Sequence, residues 1–585
     1  MPAAPYGTIG VMTARQLPRT FAVVAAGGRG SRMGGVDKPA LEVAGRRLLD
    51  TALEAVASAD RVVVVGPPRG ELPESIMQVR ESPAGAGPVA AVAAGLLATA
   101  PDDADIVVLL AADLPDVTAA TIDALVARVV ETDAPAAVAI DDDGRLQFLL
   151  AAWRADALRD ALDSVDVTDA AMKQLLPHSF AAVRVPNCGD LDTREDLDRA
   201  RAAARWDLGA ARAAIARAVA PLEPTERATV DALGCVLATP LVAAAAHPPA
   251  DRSAMDGYAV AGAPPWRPLA DVVTAGGAST VVLEPGDAVR IATGAVLPDG
   301  AERVVRDEHL DVTDSLVTPL PGNADGDDTR RIGEDWHAGA HLAPAGTVVS
   351  PAVLSTALSA EVPSLAVRGP LRVRTILSGD EIRTSGPLAR GETRDAVGPV
   401  VASFVRACGA EALEVTHLRD TAADVDALFS GPCDADVLAV VGGTGGGAAD
   451  RLRDAITRAG GEIVVGRVRC RPGGSQLTAV LPDGRVVLGL PGNPFAAIAT
   501  LVTILPAVVD AALAAEPSRR RGIVHVDDAA DGARIVAVDA LPDGTWHVRR
   551  GHGTATLVGL VGAAAFAVVP PLARGDVVCE IVPLP

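Results

Sequence analysis

Short apolar runs bounded by glycine, proline or carboxylates recur along this chain. The earliest are Phe21 to Ala26, Arg61 to Val65 (RVVVV) and Asp105 to Asp113 (DIVVLLAAD), whose length and branching predict buried strands. Between them Pro39 to Val56 reads as helix, and the loop Pro83 to Gly95 (PAGAGPVAAVAAG) leads into a helix of small residues. Strands and helices alternating at this spacing predict a parallel α/β sheet. An Ala/Arg-rich helical stretch, Ala202 to Ala220, is then broken at Leu222-Glu223-Pro224-Thr225. Ala243 to His337 reads as mostly β. Leu371 to Leu377, Val437 to Val441 and Val486 to Leu490 are apolar strands again, the last leading to a helix that Asn493 can cap with Pro494 at its first position. From Arg519 to Pro585 the residues alternate and turn often, as in a small β-barrel or sandwich.

The chemistry sits in the loops that end these strands. Val23 to Lys38 (VVAAGGRGSRMGGVDK) carries Gly27, Gly28, Gly30, Gly34 and Gly35, with Arg29, Arg32 and Lys38 spaced through it. Glycines let successive backbone N–H groups turn toward one point and bind an anion. The P-loop is excluded because Val36, not Lys, follows Gly35. The dinucleotide fingerprint is excluded because Met33 stands where its third glycine belongs. A strand, a Gly/Arg loop and a following lysine suit a nucleoside triphosphate whose pyrophosphate leaves; glycine alone would equally serve a flexible surface loop. Ligands of parallel sheets bind beyond the carboxyl ends of strands, so Asp113 should face the same crevice. There it is the expected Mg²⁺ ligand, or else a turn residue before Leu114-Pro115. The run Asp141-Asp142-Asp143-Gly144 reads as a solvated turn. Further on, Ser378-Gly379-Asp380-Glu381 puts two carboxylates at a strand end, and Gly442-Gly443-Thr444-Gly445-Gly446-Gly447 forms a second anion nest with Asp450 shortly after. His337 and His341 have helical spacing, but Gly339 between them favours surface histidines over a zinc site.

Composition narrows the class. A length of 585 residues predicts about three to five domains. The formal charge of −22 argues against nucleic acid, whereas a nucleotide can still bind through a local cationic loop and Mg²⁺. Cys188, Cys235, Cys408, Cys433, Cys470 and Cys579 form no C-x-x-C pair, which fits reduced thiols. Residues 1 to 20 lack an apolar signal core, and no uninterrupted apolar stretch reaches the ~18 residues needed to span a bilayer. A cytoplasmic protein without nucleic-acid or membrane partners is expected.

GGRGSRMGGVDKPALEVAGRRLLD resembles the signature of the nucleotidyltransferases that attach GMP or CMP to molybdopterin. The resemblance implies a Rossmann-like nucleotidyltransferase sheet over 21–204, following an extension over 1–20. It implies catalytic Arg32, Lys38 and Asp113, with Asp113 the metal ligand of an Asp-x-Pro element. It further implies nucleotide contacts from Gly27, Gly28, Arg29, Gly30, Lys38, Glu81 and Gly87. Asn187 to Leu197 (NCGDLDTREDL) resembles the family's closing element, so Asp190 and Asp192 would approach the molybdopterin acceptor; Arg194 replaces the usual proline. Guanine-specific members place an asparagine where this chain has Gly66-Pro67-Pro68, and an aspartate at Glu81, leaving GTP ahead of CTP. Positioning and charge neutralisation do most of the work in such transfers, so no protein nucleophile is needed.

A second resemblance rests on PPADRSAMDGYAV, VRIATGAVLP (Val289 to Pro298) and RRIGED (Arg330 to Asp335). Asp-Gly in the first of these reads by itself as a hairpin turn. Together they resemble the molybdopterin molybdenumtransferases, which insert molybdate into adenylylated molybdopterin, from Trp206 to the C-terminus. By this resemblance Asp256 and Glu381 are catalytic and hold metal, while Thr293, Asp335, Asp380, Gly443, Thr444, Gly445, Asp450 and Arg471 bind molybdopterin. It also implies a homodimer through this half. The family's Lys-Pro-Gly-Lys-Pro appears as Arg471-Pro472-Gly473-Gly474-Ser475, and its Asp-x-Asn as Arg394-Asp395-Ala396. The expected divisions are 205–242 with 339–368 as a linker domain, 243–338 mostly β, 369–516 a molybdopterin-binding α/β domain and 517–585 a small β domain. The combined expectation is a bifunctional enzyme of molybdenum cofactor biosynthesis, with molybdate, molybdopterin and GTP or CTP as substrates. The alternative keeps an active nucleotidyltransferase and makes the second half a cofactor-binding and dimerising scaffold.

Overall fold

The computed structural model describes residues 18–27, 33, 36–186, 188–277, 279–431, 433–444, 449–551, 553 and 555–585, without the side chains of 198, 202–203 and 449–450. Gly28, Arg29, Gly30, Arg32, Gly445 and the Asp450 side chain therefore lie outside the described residues. The chain forms two compact units, Met1–Ala211 with Val465–Val468, and Arg212–Val464 with Arg469–Pro585.

The first unit is built on a seven-stranded sheet in the order Met77–Val79, Arg61–Val65, Thr20–Ala25, Ile106–Ala111, Leu146–Arg154, Ala136–Ile140, Ala181–Arg184. The first four strands are parallel. Leu146–Arg154 runs antiparallel to both neighbours, so the sheet is mixed rather than wholly parallel. The cause is local. Asp141 Oδ1 accepts from Asp143 N and Arg145 N, which turns the acidic run into a hairpin, and a hairpin imposes antiparallel pairing. Both sheet faces are buried: Ala22, Val24, Val64 and Leu110 pack on one side, Val23, Val63, Val65 and Leu109 on the other. Such two-sided burial explains why these strands read as continuous apolar runs. The helix Pro88–Thr99 lies close on the second face because Gly95 has no Cβ; one would stand 2.3 Å from Val23 Cγ1.

Two expected helices are divided. Within Pro39 to Val56, only Leu48–Ala55 is α-helix; Lys38–Ala40 is a 3₁₀ turn, and Glu42–Val43 pairs with Arg46–Arg47. Ala44 (φ 51°) and Gly45 (φ 74°) adopt the left-handed conformations of a primed hairpin turn. Ala202 to Ala220 is likewise split between Arg194–Ala203, opened by a Thr193/Asp196 capping box, and Leu208–Ala218.

In the second unit, Thr225–Ala228, Ser364–Arg368 and Val236–Leu237 form one small sheet. Arg267–Val273, Asp287–Ile291, Gly257–Val260 and Arg303–Arg306 form another. An α/β layer follows, with Arg372–Ser378, Val437–Val441 and Val486–Leu490 parallel and adjacent. The C-terminal strands Ala533–Ala540, Trp546–Val548, Arg521–Val526, Gly575–Pro583 and Ala565–Val569 pair in succession, and the last returns to the first, closing a small barrel. Pro494–Leu513 is the helix expected after Asn493, its apolar run interrupted by Asp510. It is 20 residues with a mean hydropathy of 2.1, long and apolar enough to cross a membrane, yet 83% of that window is buried inside the protein. It is the core helix of the α/β layer. The whole is α/β multidomain: a Rossmann-like sheet, a mostly-β region, a second α/β layer and a small β-barrel.

Candidate active sites

At the carboxyl edge of the first sheet, residues from distant parts of the sequence converge. Thr20–Ala25 leads to Gly27, Ile106–Ala111 leads to Asp113, and the 3₁₀ turn presents Lys38. Lys38 Nζ lies 2.8 Å from Asp192 Oδ1 and 3.4 Å from Asp113 Oδ2. The Asp113 carbonyl accepts from Leu191 N at 3.3 Å, pinning the segment that bears Asp190 and Asp192. Lys38, Asp113 and Asp192 line a cleft of about 740 Å³ together with Gly27, Glu81 and Gly87. Burial pushes the Asp113 carboxyl above its ordinary value; Lys38 opposes the rise and Asp190 adds to it. Burial would lower Lys38, but the hydrogen bond to Asp192 and the charges of Asp113 and Asp192 outweigh it, and the lysine is raised. A half-buried carboxylate only partly compensated by one lysine fits a divalent cation. Mg²⁺ takes one or two carboxylates and draws its other ligands from phosphate and water.

The wall of this cleft carries a further polar feature. Glu81 Oε1 accepts from Gly85 N at 2.8 Å, whereas Oε2 is buried without a hydrogen-bond partner among the described residues. Gly87 (φ 97°) caps the helix Pro88–Thr99, and helix N-termini favour anions. Gly66 could not be the asparagine of the guanine-specific pattern without rearrangement, since a Cβ there would stand 2.8 Å from the Ala26 backbone.

The matching positions of the second unit fall in two places. In the first, Asp256 Oδ1 accepts from Thr293 N (2.7 Å) and Thr293 Oγ1 (2.9 Å), which hold its carboxyl below the usual value. The next residue, Gly257, is obligatory, because a Cβ would stand 2.2 Å from the Val305 carbonyl oxygen. Asp335 accepts from Arg330 Nη2 at 2.8 and 2.7 Å and lies 3.7 Å from His247 Nε2. Thr293, Arg330, His247 and Arg252 line a cavity of about 520 Å³. In the second place, the ends of three parallel strands bring Asp380 and Glu381 to the same edge as Gly442, Gly443 and Thr444. Thr444 Oγ1 lies 3.2 Å from Ser475 Oγ, joining the nest to the segment that begins at exposed Arg471. Among the described residues no hydrogen bond, ion pair or strand pairing links Asp256, Thr293 or Asp335 to Asp380 or Glu381. Nor do the described residues contain a cluster of three or more His, Cys, Asp or Glu suited to a metal.

Some groups at these places were not singled out in the sequence. Asp169 lines the first cleft, its N–H donating to the Ala86 carbonyl at 2.8 Å. Ser378 Oγ donates to Asp420, which follows the neighbouring strand Thr416–Leu418; a carboxylate just past a strand was the available clue. His247 stacks on Trp336 with centroids 4.9 Å apart. Conversely, Asp395 holds the turn before the helix Gly398–Ala407, its Oδ1 accepting from Val397 N and Gly398 N.

A lysine–carboxylate cleft thus ends one α/β sheet, and a glycine turn beside carboxylates ends another. Known proteins match in the same two parts. A MobA-like NTP transferase domain matches residues 22–182. The MoeA N-terminal region (domains I and II) matches 206–360, and a "Probable molybdopterin binding domain" matches 374–510. Molybdopterin molybdenumtransferase 2 of Mycobacterium tuberculosis is 34% identical over 283 residues, covering 46% of this chain and 70% of the relative. Molybdopterin molybdenumtransferase of Nostoc sp. is 29% identical over 364 residues, covering 58% and 83%. The molybdopterin biosynthesis protein structure from Pyrococcus horikoshii superposes with a TM-score of 0.52 at 17% identity, over 65% of this chain and 100% of that one, a likeness of fold. The chain belongs to the molybdopterin molybdenumtransferase family of molybdenum cofactor biosynthesis, and carries a MobA-like NTP transferase domain ahead of that region.

Proposed function

We propose that the chain is bifunctional: the second unit inserts molybdate into adenylylated molybdopterin, and the first then transfers an NMP, GMP from GTP, to the molybdenum-bearing product. The observation that carries the nucleotidyl step is Lys38 meeting Asp113 and Asp192 on one open cleft. There a terminal phosphate of the acceptor attacks the α-phosphorus of the triphosphate, and the bond to pyrophosphate breaks. Lys38 holds triphosphate oxygens, Asp113 would hold Mg²⁺, and Asp190 and Asp192 face the acceptor. Bound Mg²⁺ would neutralise phosphate charge, the main need of such a transfer. Glu81 supports GTP over CTP: its Oε2 is buried without a hydrogen-bond partner among the described residues, so the carboxylate can accept both adjacent N–H donors of guanine, whereas cytosine presents one amine beside an acceptor. In the second unit we assign Asp256 and Glu381 to metal and catalysis, and Thr293, Asp335, Asp380, Gly443, Thr444 and Arg471 to molybdopterin. A homodimer through this unit and a cytoplasmic location complete the proposal, with the domain divisions given above.

Full-length protein offered GTP, CTP and ATP with adenylylated molybdopterin, molybdate and Mg²⁺, with products identified by mass, tests both activities. A GMP conjugate of molybdenum-bearing molybdopterin is expected; a CMP conjugate overturns the choice of base, and no conjugate overturns the nucleotidyl reading. A second reading, the scaffold, is favoured by Gly474 replacing a cation. It falls if Gly474→Lys leaves molybdate insertion unchanged while Glu381→Ala abolishes it.

A further inference from the structure

We propose that Arg69 is a positioning residue for nucleotidyl transfer: it ties the two flanks of the glycine loop together and so aims Lys38 at Asp113. This rests on the nucleotidyltransferase reading of the first cleft. Arg69 Nη2 donates both to the Ala26 carbonyl at 3.2 Å and to Asp37 Oδ1 at 2.7 Å, while Nη1 donates to Asp37 Oδ2 at 2.8 Å. Ala26 follows the strand that enters the loop. Asp37 occupies the N-cap position of the 3₁₀ turn Lys38–Ala40, where its carbonyl accepts from Ala40 N at 3.1 Å. One guanidinium thus spans the residue before the loop and the residue that starts the turn bearing Lys38.

The arginine is itself held. Gln78 Oε1 accepts from Arg69 N at 2.8 Å, and Gln78 Nε2 donates to the Arg69 carbonyl at 2.9 Å. Gln78 sits in the edge strand Met77–Val79, opposite Val64 in parallel register. The frame of the sheet is therefore transmitted through Gln78 and Arg69 to Asp37 and on to Lys38. The Arg69 side chain is only 15% exposed, and a forked pair with a carbonyl as second acceptor specifies direction in a way a mobile surface ion pair does not. Neither Arg69 nor Asp37 lines the cleft, so any effect on transfer is indirect, through Lys38 on one flank and Ala26 beside Gly27 on the other.

The test compares full-length wild type with Arg69→Lys, Arg69→Ala and Asp37→Asn. Nucleotide consumption is measured while each substrate is varied, alongside thermal midpoint and amide exchange over residues 36–41. Arg69→Ala is expected to lower kcat/KM for the triphosphate about 10²-fold, the order that a misplacement near 1 Å produces. Arg69→Lys should lose nearly as much, because a single ammonium does not reproduce the planar fork. Asp37→Asn should lose less. Acceptor KM and the midpoint stay as in wild type, and exchange over 36–41 rises. The proposal is overturned if the Arg69 variants keep wild-type kcat/KM for the triphosphate. It is equally overturned if both KM values and the midpoint shift together, as for an arginine of purely structural value. Wild-type protein that neither binds nor consumes any nucleoside triphosphate defeats the reading of the cleft itself, and the proposal with it.

Discussion

The two units arrange strand-end carboxylates in opposite ways. In the first, Asp113 and Asp192 converge on Lys38 within 3.4 Å, and a single cleft serves them all. In the second, Asp256 is held by Thr293 and Asp335 by Arg330, while Asp380 and Glu381 stand on a different sheet edge. Concentration couples the groups: Lys38 opposes the rise that burial gives Asp113, and the two carboxylates raise Lys38 against its own burial. Dispersion leaves each carboxylate governed by its own local partner, as Asp256 is by Thr293.

The sharpest way to break this comparison is to remove a member of the concentrated set. Asp113→Asn or Lys38→Met should cut nucleotidyl transfer by about 10²- to 10³-fold, the cost of one preorganised charge in a site, and leave molybdate insertion unaltered. Equal losses in both activities would mean that the two places are not independent. Next in size, Glu381→Ala should reduce molybdate insertion by about 10²-fold with nucleotidyl transfer retained. Restoring a cation by Gly474→Lys should leave insertion unchanged; acceleration toward the ~2–4 kcal/mol that such a charge supplies at an oxyanion would favour the scaffold reading instead, and initial rates with saturating molybdate decide it.

Smaller effects test the frameworks. Gly473 (φ 105°) has Thr500 Oγ1 2.3 Å from where a Cβ would be, so Gly473→Ala should destabilise the second unit by about 1–3 kcal/mol in denaturant titration. The smallest concerns pH. Asp113 must be ionised to hold a cation, and its value is raised, so the acid limb of nucleotidyl transfer should lie above the usual aspartate range. Asp190→Asn removes a charge that raises it, and should move the limb to lower pH. Because the protonated form is the one favoured by folding, Asp113 contributes stability below its unfolded value, and that contribution is lost as pH rises through the folded value.

Much of the architecture was legible because buried strands announce themselves. RVVVV and DIVVLLAAD admit few other roles, and chemistry placed just after such runs must emerge at the sheet's carboxyl edge. The two-residue strands of the Glu42–Arg47 hairpin were illegible because they are too short to show a period of two. The long apolar helix Pro494–Leu513 was ambiguous by composition, since a core and a bilayer reward the same residues. At the site, Lys38 and Asp113 each had a local signal. Arg69 had none: its meaning lies in Ala26, Asp37 and Gln78, and neither period nor motif connects them.

By itself the sequence determined the alternation of strands and helices, the glycine loops at strand ends and the acidic side chains beside them, because all of these depend on near neighbours. Tertiary structure alone decided that Asp192, 154 residues from Lys38, would share its ammonium with Asp113, and that Asp256 and Glu381 would adjoin strands of different sheets. Backbone preference acts over a few residues, whereas charge and hydrogen bonding act across whatever distance packing leaves between side chains.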